Sequence, residues 1–141
     1  MMSKKKLLVL CTGNSARSQM AEGLFRHEGG DRFEVYSAGT KPSRVRDEAI
    51  AVMKEIGFDV SGQRSKSVDE FVGRDLDLVI TVCNHAHETC PFFPGNVKRL
   101  HWPFDDPAAV QGSEEVRLTA FRKVRDQIHD RIMVFLNGDE S

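Results

Sequence analysis

The sequence lacks a long apolar run. Behind Lys4-Lys5-Lys6 the apolar stretch from Leu7 to Leu10 is only four residues. A membrane helix needs about 20 apolar residues, and the core of a secretory signal about 7–15. Neither is present, so no membrane partner is expected and the cytoplasm is the expected compartment. There is no excess of charge either: the formal net charge is −1 at pH 7, which gives no footprint for nucleic acid. Cysteine is scarce and odd in number, three in the chain. Without an export signal that argues against a disulfide framework and for thiols kept reduced and available for chemistry. Repeats, low-complexity tracts and linker-like stretches are missing as well, so residues 1–141 read as a single domain, expected as a monomer. What is present is an ordinary globular composition, 40% hydrophobic and 29% charged. A chain of this size buries roughly two-thirds of its unfolded surface and needs no staple.

Strand and helix patterns alternate. Leu7-Leu8-Val9-Leu10 is continuous, as in a strand covered on both faces, and stops at a turn containing Gly13. Ser18 to about His27 predicts a helix with Met20, Ala21, Leu24 and Phe25 on one face and Gly29-Gly30 beyond its end. Phe33 to Ser37 is the second strand. Arg46 to about Ile56 is helical and stops at Gly57, and a short helix is expected near Val68 to Val72. Leu76 to Val82 is the third strand and Val97 to about Trp102 the fourth. Ser113 is the N-cap of a last helix with Phe121, Val124, Ile128, Ile132 and Phe135 as its docking stripe. Such alternation predicts an α/β, three-layer fold: a four-stranded parallel sheet with helices on both faces. Ligands in open α/β sheets bind beyond the carboxyl ends of the strands. Cys11 directly follows the first strand, Cys83 the third, and Asp105-Asp106 lies just past the fourth, so these three points should meet at one edge.

Cys11-Thr12-Gly13-Asn14-Ser15-Ala16-Arg17-Ser18 carries the chemistry. Successive N–H groups of such a loop can curl into a nest for a tetrahedral oxyanion, and the helix that follows adds the partial positive charge of its N-terminus. Gly13 offers an unusual backbone conformation. Arg17 offers a planar fork for two oxyanion oxygens. The same surroundings are expected to lower the Cys11 thiol and make it a nucleophile, with Ser18 donating a hydrogen bond to the sulfur. A small buried Cys11 beside a surface Arg17 is the plainer alternative. Placement between an apolar strand and an amphipathic helix favours the oxyanion loop.

Cys83 and Cys90 close the segment Cys83-Asn84-His85-Ala86-His87-Glu88-Thr89-Cys90. Two cysteines and two histidines could make a zinc site, but no usual paired spacing is present. Two unrelated buried cysteines are another reading. A redox pair is the third: Cys83 attacks a sulfur adduct at Cys11, and Cys90 carries the oxidation outward by thiol–disulfide exchange. Asp105 and Asp106, before Pro107, offer an acid for a leaving oxygen; an Asp-Pro turn is the plainer role, and composition does not choose between the two acids. His101 and Trp102 read as strand residues.

Several motifs together resemble one family. They are Cys11 to Gly23 (CTGNSARSQMAEG), Tyr36-Ser37-Ala38-Gly39, Cys83 and Cys90, His101 to Pro107 (HWPFDDP), and Arg122 to Ile128 (RKVRDQI). The sequence resembles, over essentially its whole length, the thioredoxin-coupled arsenate reductases, which share the fold and anion loop of low-molecular-weight protein tyrosine phosphatases. The resemblance implies that Cys11 attacks arsenate while Asp106 assists departure of hydroxide or water. Cys83 then attacks Cys11, arsenite leaves, and Cys90 attacks Cys83 to give a Cys83–Cys90 disulfide that reduced thioredoxin opens. No tightly bound cofactor is implied. Some members hold potassium near Asn14, Glu22 and Ser37, completed by an acid. Here Lys66 stands at that position, a departure that puts an ammonium where the ion would sit and leaves Asn14 as a loop-shaping residue. A phosphotyrosine phosphatase is the alternative, although such enzymes carry aromatics after the Asp-Pro where this chain has Ala108, Ala109 and Val110. A three-thiol arsenite sensor would leave Arg17 without a role.

Overall fold

A computed structural model describes residues 4–84, 86, 93 and 95–138. Its frame is a four-stranded sheet in the order β2-β1-β3-β4, parallel throughout. The strands are β1 (Lys5–Cys11), β2 (Phe33–Gly39), β3 (Leu78–Thr81) and β4 (Lys98–His101). Three α-helices accompany them among the described residues: α1 (Arg17–Gly29), α2 (Asp47–Glu55) and α3 (Glu114–Leu136). The four-stranded parallel sheet expected from the sequence is realised.

β1 is central and pairs with both β2 and β3. Leu7, Leu8, Val9 and Leu10 have no solvent exposure, which is why this strand shows no apolar–polar alternation. β2 alternates instead. Phe33 packs with Phe25 and Phe135 on the face carrying α1 and α3, while Tyr36, one pleat out of phase, meets Phe71 of the 3-10 turn Val68–Phe71 on the other. α2 packs on α1 and α3.

Two boundaries follow from local chemistry. Ser113 accepts from the Val116 N–H and opens α3, whose expected stripe of Phe121, Val124, Ile128, Ile132 and Phe135 is buried. Gly57, at φ +85°, stops α2 as expected. The Gly29-Gly30 pair behaves differently. Gly29 lies inside α1 and Gly30 closes the helix in the right-handed region.

Register aligns the carboxyl ends of the strands. Cys11 pairs with Gly39, Leu10 with Thr81, and Thr81 with His101. The segments leaving β1, β3 and β4 therefore emerge at one edge.

Candidate active site

The loop between β1 and α1 turns on Asn14, not on Gly13. Asn14 is the only non-glycine residue with positive φ among those described, at +47°; asparagine tolerates this region better than most residues. Its side chain locks the turn. Nδ2 donates to Ser18 Oγ at 2.7 Å and to Ser37 Oγ at 2.9 Å, and Oδ1 accepts from the Lys66 N–H at 2.8 Å.

The loop carbonyls are tied outward in succession. Cys11 O accepts from Thr40 N at 3.2 Å, Thr12 O from Lys41 N at 2.9 Å, and Gly13 O from Ser43 N at 3.1 Å. Asn14 O accepts from Gln19 Nε2 at 3.0 Å and Ser15 O from Arg46 N at 2.9 Å. In a trans peptide the C=O and the next N–H point in opposite directions. Five outward carbonyls thus turn the N–H groups of Thr12 through Ala16 towards the inside of the loop, a geometry able to receive an anion. The donors at 40, 41, 43 and 46 act through backbone N–H groups, so their side chains carry no signal of the role. Gly39 lies against this loop: a Cβ there would come within 2.4 Å of Thr12 O and 2.9 Å of Asn14 N.

Cys11 Sγ sits at the base, 2.8 Å from Ser18 Oγ, and accepts from the Asn14 N–H at 3.2 Å. Burial is the strongest influence on this thiol and pushes it up from the ordinary value. Ser18, Arg17 and the Asn14 N–H pull the other way without prevailing. The lowered thiol expected from the sequence is corrected accordingly: desolvation outweighs the lowering groups. Arg17, first residue of α1, is largely buried. Its Nη1 donates to Phe104 O at 3.1 Å and its Nη2 lies 3.8 Å from Asp106 Oδ2.

Of the two acids, Asp106 is the one at Arg17. Its Oδ1 also accepts from the Ala108 N–H at 3.0 Å, so the Asp-Pro turn and the site share one carboxylate. Cys83 is buried beside the loop, with Sγ 3.3 Å from Thr12 Oγ1 and accepting from the Ala86 N–H at 3.4 Å. The three strand ends meet at one edge, as the topology requires. Cys90, and with it His85 and His87 of the zinc reading, lies outside the described residues. Among those described no cluster of three or more side chains could hold a metal. His101 bridges Thr81 and Asn84 at the end of β4, and Trp102 stacks on Phe25.

The potassium positions do not fit an ion. Lys66 Nζ donates to Arg64 O at 2.7 Å and lies 3.5 Å from Glu22 Oε1. Ser37 Oγ donates to that same Glu22 oxygen at 2.5 Å, and Arg26 pairs with the other at 2.9 Å. The Glu22 carboxylate that would ligate a cation already faces a tethered ammonium and a guanidinium, and Asn14 Oδ1 is taken by the Lys66 N–H and Gln19 Nε2. Burial lowers Lys66 from the ordinary lysine value, and the Glu22 carboxylate opposes that shift.

Comparison with known proteins agrees with this geometry. Residues 6–139 match the family described as low molecular weight phosphotyrosine protein phosphatase. An arsenate reductase of Halalkalibacterium halodurans is 48% identical over 134 residues, 95% of this chain and 96% of that protein. A solved arsenate reductase in the phosphate-binding state superposes with a TM-score of 0.76 at 34% identity, covering 94% of this chain and 97% of the other. The thioredoxin-dependent arsenate reductase of Corynebacterium glutamicum superposes with a TM-score of 0.69 at 25% identity, covering 96% of this chain and 64% of that one.

Proposed function

The chain belongs to the low molecular weight phosphotyrosine protein phosphatase family, and from that premise we propose that it is an arsenate reductase working by a three-thiol relay with thioredoxin as electron donor. The observation that carries this reading is the second buried thiol. A phosphatase needs the loop, Arg17 and Asp106, whereas Cys83 against Thr12 serves a reaction in which the bound oxyanion is itself reduced.

The inward N–H groups of residues 12–16 and the Arg17 fork hold arsenate over Cys11. Cys11 sulfur attacks arsenic(V). Asp106 takes up the Cys11 thiol proton and hands it to the departing hydroxyl, which leaves as water as the sulfur–arsenic bond forms. Cys83, as thiolate, attacks Cys11 sulfur. The sulfur–arsenic bond breaks with its electron pair on arsenic, so arsenite leaves as arsenic(III) and the two sulfurs become a disulfide. Cys90 thiolate then attacks Cys83 sulfur and frees the Cys11 thiolate. The Cys83–Cys90 disulfide is opened by the dithiol of thioredoxin, the donor of the similar Corynebacterium glutamicum enzyme. Every step begins from a reduced thiol, which suits the cytoplasm. No step uses a metal, and none requires a second copy of the chain.

The test is arsenate-dependent NADPH oxidation with thioredoxin and thioredoxin reductase, run beside a glutaredoxin–glutathione arm. Turnover in the thioredoxin arm alone is expected. Rapid hydrolysis of an aryl phosphate, with no arsenate reduction in either arm, would replace this reading by the phosphatase one.

A further inference from the structure

We infer that Ser65 is a positioning residue for oxyanion binding, acting from outside the loop through the Gly13 carbonyl. The inference rests on the oxyanion reading of the loop and adds a residue to it. Cys11 O, Thr12 O and Ser15 O are each tied by one backbone N–H, and Asn14 O by the Gln19 side chain. Gly13 O has a different arrangement. It accepts from the Ser43 N–H at 3.1 Å, from Ser65 Oγ at 3.0 Å and, at a longer 3.5 Å, from Ser43 Oγ. Ser65 Oγ in turn accepts from that same Ser43 N–H, at 3.0 Å. One hydroxyl therefore closes a triangle joining three segments that are distant in sequence: the loop, the stretch 40–46 and the stretch 64–67.

The peptide held in this way is the one most able to turn over. On one side is glycine, with the least resistance to backbone rotation. On the other is Asn14, already in the left-handed region at φ +47°. With Gly13 O held outward, the Asn14 N–H points inward and reaches Cys11 Sγ at 3.2 Å. Were this peptide to flip, the N–H that faces Cys11 Sγ inside the loop would be exchanged for a carbonyl oxygen, which repels an anion held there. Both functional groups of the unit are fixed from the same short stretch, because the next residue, Lys66, holds Asn14 Oδ1 through its N–H. Ser65 touches neither the nucleophile nor the anion. Its effect is carried wholly by the orientation of one N–H.

The experiment is calorimetric titration of inorganic phosphate into the wild-type chain, Ser65→Ala and Ser65→Thr, with steady-state arsenate kinetics and exchange of the Asn14 amide. Losing one hydrogen bond of ordinary net strength is expected to weaken phosphate binding roughly fivefold in Ser65→Ala. The KM for arsenate should rise by the same factor while kcat stays within about twofold, since the bond serves ground state and transition state alike. Ser65→Thr keeps the hydroxyl and should restore binding, and the Asn14 amide should exchange faster in Ser65→Ala alone. Unchanged phosphate affinity in Ser65→Ala overturns the proposal. So does a Thr variant as weak as the Ala variant, or an Ala variant that loses thermal stability without an affinity change. Should Ser65→Ala not fold, wild-type affinity for phosphate and wild-type exchange at Asn14 in Ser65→Thr support the proposal, and their loss overturns it. A wild-type chain that binds no phosphate removes the oxyanion reading itself, an outcome distinct from a failure confined to Ser65.

Discussion

At the scale of single residues, the site is a set of opposed pressures on Cys11. Enclosure in the loop raises the thiol, and the contacts with Ser18, Arg17 and the Asn14 N–H resist that rise. The sign of a change at Ser18 follows. Its hydroxyl stabilises the thiolate, so Ser18→Ala removes a lowering influence and lifts the thiol further. The expected outcome is that the midpoint of iodoacetamide alkylation of Cys11 moves to higher pH, with slower alkylation at any pH below it. A midpoint that stays put, or moves down, would mean the 2.8 Å contact does not reach the thiolate. Residue identity pointed to Cys11, Arg17 and Ser18 only together with their placement between an apolar strand and an amphipathic helix. It pointed to Gly13 for the strained turn, and there the side chain of Asn14 proved decisive. Asparagine can enter the left-handed region and also hold itself there through Ser18, Ser37 and the Lys66 N–H.

At the scale of elements, the anion loop is shaped by the segment that leaves β2. β1 and β2 are in register up to Cys11 and Gly39, so residues 40–46 run beside the loop and donate to its carbonyls. Gly39 is the closest point of that approach, and a Cβ there would collide with backbone atoms that have nowhere to move. Gly39→Ala is expected to cost about 1–3 kcal/mol of stability, as overpacked sites do. It should also weaken phosphate binding, because displacing Thr12 O turns the Gly13 N–H. Thermal melts with and without phosphate test this: a variant as stable as wild type, and stabilised equally by phosphate, would contradict it. The amphipathic stripe of α3 and the unbroken apolar run of β1 were legible beforehand, since burial on one face or two leaves a periodic trace in sequence. The strap around the loop left none, because its donors are backbone N–H groups that any residue except proline supplies.

At the scale of the whole molecule, the fold joins the Cys11 loop to the Cys83 thiol on a different strand connection. β1 and β3 are neighbours although most of the chain's first half separates them, and this adjacency sets Cys83 against Thr12. Cys90→Ser is expected to release one equivalent of arsenite per chain and then stop, even with thioredoxin present. Continued steady-state turnover in that variant would remove Cys90 from the relay.

By itself the sequence determined the class of fold, and it marked Cys11 to Ser18 as a candidate anion loop with Cys83 and Cys90 as candidate exchange thiols. These depend on side-chain type and on short-range spacing, which a linear chain displays. Only the tertiary structure decided which acid faces Arg17 and that the loop carbonyls are tied from outside by residues 40–46 and 65. Each of those is a contact between segments distant in sequence, whose partners are set by strand order and register. A residue's own chemistry does not encode who its neighbour will be.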